Sequence, residues 1–275
     1  MRKVITITIL VLAVGLRAQP PRSAPQFAKT LPEEVLPAAL DELTALELTD
    51  TALPARSKQL IALAVASQIP CRMCVYASSQ LARSAGAPDR ELREAVAMAA
   101  ITRHWSTVVD GSEIDAAALD GEVADIINFM KTSGVGTPKP AAEPITDAAS
   151  AYRDIERTFG TVPSFLKAFP VLAIGPAWRE IKDLELSQAT QLDGKTKELI
   201  GLAVAAQIPC RFCVSFHSEA ARMNGASDDE LKEAVAIAAL SRHWATIITG
   251  SLVDEPQFRR EVDQRIRTRK RTAQR

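Results

Sequence analysis

The sequence predicts an all-α protein made of two tandem copies of one helical unit, on three observations. The first is internal repetition: QLIALAVASQIPCRMCVYASSQ, starting at Gln59, returns as ELIGLAVAAQIPCRFCVSFHSE, starting at Glu198. The offset stays at 139 residues, from Gln59 to Glu198, Cys71 to Cys210 and His104 to His243, which marks two equivalent structural units. The second is the near absence of strand signals, with no sustained apolar–polar alternation and no Asn-Gly or Asp-Gly pair between β-branched runs. The third is that the Ala- and Leu-rich segments of each copy are bounded by helix start and stop residues.

The chain opens on MRKVITITILVLAVGLRAQ, in which Arg2 and Lys3 precede an apolar run from Val4 to Leu16. That run falls short of the roughly 20 residues of a spanning helix and reads as a signal peptide over 1–18, cut after Ala18. The mature protein is therefore expected outside the cytoplasm, where disulfides persist, with an uncleaved membrane anchor as the alternative. Unit 1 is assigned to 25–133, a Pro-containing linker to 134–147, unit 2 to 148–268 and a basic tail to 269–275. Within unit 2, Asp193 caps the helix KTKELIGLAVAAQ, whose apolar residues form one face. Pro209 is expected in the first turn of a second helix, CRFCVSFHSEAARMN, which stops at Gly225. Ser227 and Glu230 then form a capping box that opens the third.

With 33 basic and 33 acidic residues the net charge is zero, so nothing in the global charge calls for nucleic acid. The chemistry lies in Cys210, Cys213 and His217, which on a helix share one face. A thiolate is favoured near a helix N-terminus, and an imidazole one turn away can exchange its proton. Three readings suit this set: a redox pair, a structural disulfide and a zinc site. A CxxC bridge closes a loop too small to stabilise the fold much through chain entropy. Zinc modules usually gather ligands from separated loops rather than from one helix. Both arguments favour redox chemistry. Glu198 lies twelve residues before Cys210, but spacing alone does not bring it to the cysteines.

Glu198, the twelve-residue spacing and CRFCVSFH together resemble the signature of the alkyl hydroperoxidase D / carboxymuconolactone decarboxylase superfamily. FGTVPSFLKAFP, Phe159 to Pro170, also resembles its usual opening. The resemblance covers both copies and implies a compact helical fold, usually oligomeric, with thiol-dependent peroxidase or disulfide reductase chemistry and no metal, haem or other cofactor. In redox members the cysteine matching Cys213 becomes a sulfenic acid, and the one matching Cys210 donates a proton and closes the disulfide. The residues matching His217 and Glu198 relay protons. Thioredoxin-like logic would instead make the first cysteine the nucleophile. Where well-studied members carry a second histidine between the cysteines, this chain has Phe212. The partners implied are a hydroperoxide substrate and a dithiol or protein reductant, with the chain itself forming a homo-oligomer. A thiol–disulfide oxidoreductase without a peroxide step, a decarboxylase-type enzyme and a non-catalytic scaffold are the competing classes; decarboxylase-type members generally lack the CxxC.

Unit 1 keeps Cys71 and Cys74 but carries Gln59 and Ser78 where unit 2 has Glu198 and His217. Neither is a base near neutral pH, so unit 1 is not expected to be an autonomous peroxidase. Its cysteines are open to a structural disulfide, slow exchange or a relic role. His104 and His243, each in an RHW triplet, together with Trp105 and Trp244, read as packing residues.

Overall fold

A computed structural model describes residues 24–133 and 143–273. The expected signal peptide, most of the expected linker and the last two residues of the tail lie outside the described residues. Among those described there are twelve α-helices and no strand. Unit 1 comprises a 3₁₀ turn at Gln26–Thr30, then α1 (Leu36–Glu47), α2 (Ala55–Gln68), α3 (Arg72–Ser84) and α4 (Asp89–Gly111), followed by α5 (Ala116–Thr132). Next come α6 (Ala148–Phe159), α7 (Ser164–Lys167) and α8 (Val171–Glu180), the last continued by a π-helical turn over Ile181–Glu185. Unit 2 is completed by α9 (Gly194–Gln207), α10 (Arg211–Met223), α11 (Asp228–Gly250) and α12 (Glu255–Ala273). No described helix is long and apolar enough to cross a membrane.

The caps behave as local chemistry dictates. Asp193 accepts from the Thr196 amide at 2.7 Å, and Ser227 and Glu230 form a reciprocal capping box. Gly225, like its counterpart Gly86, sits just past a helix end at positive φ (84° and 89°), where a Cβ would be strained. Two expectations are corrected. Pro209 precedes α10 rather than occupying its first turn: Cys210 is the N-cap, its Sγ accepting from the Cys213 amide at 3.3 Å, and a capping residue is itself non-helical. The α9 helix is not one-sided, because every residue from Thr196 to Ala205 is buried. Helices α2 and α9 pack on each other and each also packs on α4 and α11, so both are enclosed all round.

The two units bury their apolar side chains together, in two clusters that each draw on both units. The larger cluster of buried side chains draws Leu60 to Val65 from α2, Leu199 to Val204 from α9, and residues of both long helices. Helix α5, the last of unit 1, packs on α10 of unit 2, while α12, the last of unit 2, packs on α3 of unit 1. Tyr76 on α3 donates to Asp263 on α12 at 2.8 Å and lies under the Arg259 guanidinium. Lys131 on α5 pairs with Glu219 on α10. A matching clasp joins the units at their centre. Glu94 on α4 accepts the Gln191 and Leu192 amides that lead into α9, at 2.9 and 2.8 Å. Its repeat partner Glu233 on α11 accepts the Leu53 amide that leads into α2, at 2.6 Å.

Glu233 also neutralises Lys58, which is fully buried with its Nζ 2.8 Å from the carboxylate. Removing one partner of a buried pair leaves an uncompensated charge. Glu233→Ala is therefore expected to cost about 3–5 kcal/mol in urea denaturation; a loss below about 1 kcal/mol, the size of an exposed pair, would show that the clasp is not structural.

Candidate redox site

The disulfide Cys210–Cys213 caps and opens α10, so the cysteine pair is held by the backbone amide of its own helix start. Both cysteines are buried in a second core cluster with Phe165, Trp178 and Phe212. One turn after Cys213, His217 is buried on α10. Its Nδ1 lies 2.8 Å from Oε2 of Glu198 on α9, itself buried. The α9–α10 packing thus brings together the histidine and the glutamate whose contact spacing left open.

The close approach of α9 and α10 has a cause in sequence. A Cβ built on Gly201 would lie 2.4 Å from His217 Nδ1 and 2.5 Å from Cε1, so only glycine leaves room for the imidazole. In unit 1 the matching pair is Ala62 and Ser78: the methyl and the ring are mutually exclusive. Sequence reasoning missed Gly201, although comparing the two copies offered the signal.

It also missed Glu185. This carboxylate, on the π-helical turn after α8, lies 4.0 Å from His217 Nδ1. Such turns often occur at functional sites. Lys197, fully buried, fixes the turn by donating to the carbonyls of Leu184 and Ser187 and to Thr190 Oγ1. Burial, followed by the neighbouring Glu198 carboxylate, pushes Glu185 up to about 7. Burial disfavours the charged form of His217, but the hydrogen bond to Glu198 and the two carboxylates outweigh it and raise its pKa. Around neutrality the cluster therefore holds exchangeable protons on two neighbouring groups.

Both shifts are upward, so each group contributes stability that is full below its unfolded pKa, 4.5 for Glu185 and 6.5 for His217, and that fades as pH rises through the folded value. Thermal stability should fall between about pH 5 and pH 8. Glu185→Gln, a neutral isostere, should shrink that fall by about 3 °C or more in melting scans; an unchanged fall would show that Glu185 does not titrate in this window.

Glu185, Glu198 and His217 each offer one ligand atom, all within 4.8 Å of one another. Their donor types suit a divalent cation. The cysteines, bound as a disulfide, offer no thiolate to it.

In unit 1, Cys71 and Cys74 also form a disulfide, and Cys71 caps α3 through the Cys74 amide at 3.2 Å. The repeat extends further upstream than the block from Gln59: PQFAKTLP and PSFLKAFP match, as do LELT and LELS, at an offset of 138. Phe27 packs edge-on against Trp244 and Phe165 against Trp105, so each RHW tryptophan covers the other unit's CxxC side. Glu47 is thereby the counterpart of Glu185, and burial pushes it too up to about 7 against the Gln59 hydrogen bond and the Lys58 charge. His104 and His243 are exposed and rest against Trp105 and Trp244, the first tilted and the second edge-on, in keeping with a packing role.

A family model described as "Carboxymuconolactone decarboxylase family" matches residues 34–116 and again 173–253, more than half of the chain. The chain belongs to the carboxymuconolactone decarboxylase family. Its two matches fall on the two copies, so the family's domain occurs here twice. Among similar proteins is "Uncharacterized protein 4 in cox locus" of Paracoccus denitrificans, 41% identical over 54 residues, which amount to 20% of this chain and 49% of that protein. The chain thus spans about half the length of that relative. No solved structure matches.

Proposed function

We propose that the second unit is a thiol-dependent peroxidase that reduces hydroperoxides through Cys213. The observation that carries this reading is the buried Glu198–His217 pair, one turn from a CxxC disulfide on the same helix. In the reduced protein the Cys213 thiolate attacks the distal peroxide oxygen; the O–O bond breaks, the alcohol leaves with a proton and Cys213 becomes a sulfenic acid. The Cys210 thiol then displaces hydroxide, which departs as water, and the disulfide forms. An external dithiol restores both thiols by two exchange steps and is itself oxidised. His217 and Glu198 carry the protons that these steps release and consume, with Glu185 as a third proton-bearing group.

Burial of Cys213, 6% exposed, favours a compact peroxide and a small dithiol over direct exchange with a folded protein. Export of the mature chain and homo-oligomer formation belong to the same proposal. Stopped-flow oxidation of the fully reduced protein tests it: hydrogen peroxide and ethyl hydroperoxide should react at least tenfold faster than cumene hydroperoxide, a difference of about 1.4 kcal/mol in barrier. No reaction with any of the three would end the peroxidase reading.

A further inference from the structure

Unit 1 holds a cavity of about 750 Å³ where the equivalent of the unit 2 site lies. Its wall includes Cys74, Ser78 and Glu47, the counterparts of Cys213, His217 and Glu185. The space follows from two exchanges along one helix. Where α10 carries Phe216 and His217, α3 carries Ala77 and Ser78, so two side chains of the wall have lost their rings. The remaining wall comes from the 3₁₀ turn and its lead-in, α1, Ala66 of α2, the other unit's α11, and α12; Phe27, Leu40 and Phe258 give it apolar surface, and Lys29, Asp41 and Arg269 add charged groups. A volume of this size is typical of small-molecule sites.

Two further atoms point to an occupant. Trp244 and Ser241 are among the residues that line the cavity, and their buried Nε1 and Oγ have no hydrogen-bond partner among the described residues; Trp244 is 5% and Ser241 7% exposed. A buried indole N–H without an acceptor is costly, and it can only donate. An apolar molecule carrying one acceptor would satisfy it. Burial pushes Glu47 up to about 7, so near neutral pH it is charged part of the time, which suits an uncharged acceptor better than a carboxylate.

We propose that unit 1 is a binding site for an apolar small molecule with a carbonyl head, which accepts a hydrogen bond from Trp244 and lies against the Cys74 side of the disulfide. Gln59 and Ser78 stand where unit 2 has Glu198 and His217, so the site has no base and the ligand is bound and not turned over.

The test uses the full mature chain, calorimetry and two probes with one carbon skeleton, butyrophenone and n-butylbenzene. The ketone should bind at least fivefold tighter than the hydrocarbon, the worth of about one net hydrogen bond. Trp244→Phe should erase that preference while leaving n-butylbenzene unaffected. Leu81→Trp, which fills the cavity, should abolish binding of both. On the wild type, saturating ketone should slow reduction of Cys71–Cys74 by a phosphine and leave Cys210–Cys213 unchanged. Equal binding of the two probes, no binding of either, or ketone binding that survives Leu81→Trp would overturn the proposal.

Discussion

The Cys213→Ser variant should lose all peroxide turnover above background when a small dithiol is the reductant, while the Cys71→Ser/Cys74→Ser double variant should retain wild-type turnover within about twofold. A serine hydroxyl is not ionised near neutral pH and cannot form a disulfide, so no step of the cycle survives the first change. The second change removes a bridge whose neighbours, Gln59 and Ser78, supply no base. Cys210, fully buried, should resist alkylation in folded Cys213→Ser and react once the protein is denatured, which separates loss of chemistry from loss of fold. Turnover retained in Cys213→Ser, or lost only in the double variant, would move the reaction to unit 1.

Gly201→Ala should be almost as damaging without touching a reacting atom. The new methyl would stand 2.4 Å from His217 Nδ1 and 2.8 Å from Cγ, and the helix backbone that bears it packs against α4, α10 and α11. The imidazole has to leave its place beside Glu198. Overpacking of this kind costs about 1–3 kcal/mol in stability, and removing a positioned acid–base group costs about 10²–10⁴-fold in rate. The chain itself supplies the control, because unit 1 carries alanine and serine at the two positions. The triple variant Gly201→Ala/His217→Ser/Glu198→Gln, which copies unit 1 into unit 2, should regain most of the lost stability and none of the activity. Kinetics and urea denaturation of the three proteins decide it: wild-type turnover in Gly201→Ala would mean that the glycine does not position His217.

The helical class and the duplication were legible because both rest on local signals: helix caps at Asp193, Ser227 and Gly225, and a repeat that needs no third dimension to be seen. The cysteines and His217 were legible because one helix carries them. Glu198 was half legible; its type stood out in an apolar helix, yet its contact with His217 depends on how α9 meets α10. Glu185 was hidden. It sits in DLELSQ, an unremarkable polar stretch, and acquires its environment only when the turn after α8 folds over α9 and Lys197 pins the carbonyls on either side. The exchange of covers between units was hidden as well, since Trp244 at the unit 1 cavity and Trp105 beside Phe165 are contacts between segments far apart in the chain. Pro209 misled because the Cys210 sulfur, rather than the proline ring, sets where α10 begins.

The most direct measurement is to reduce the mature protein fully, add one equivalent of hydrogen peroxide, trap thiols with an alkylating agent at successive times and map each pair by mass spectrometry. Cys210–Cys213 should re-form at least tenfold faster than Cys71–Cys74, and His217→Ala should remove most of that lead. Re-formation of Cys71–Cys74 at an equal or greater rate would contradict the assignment of the redox centre to the second unit.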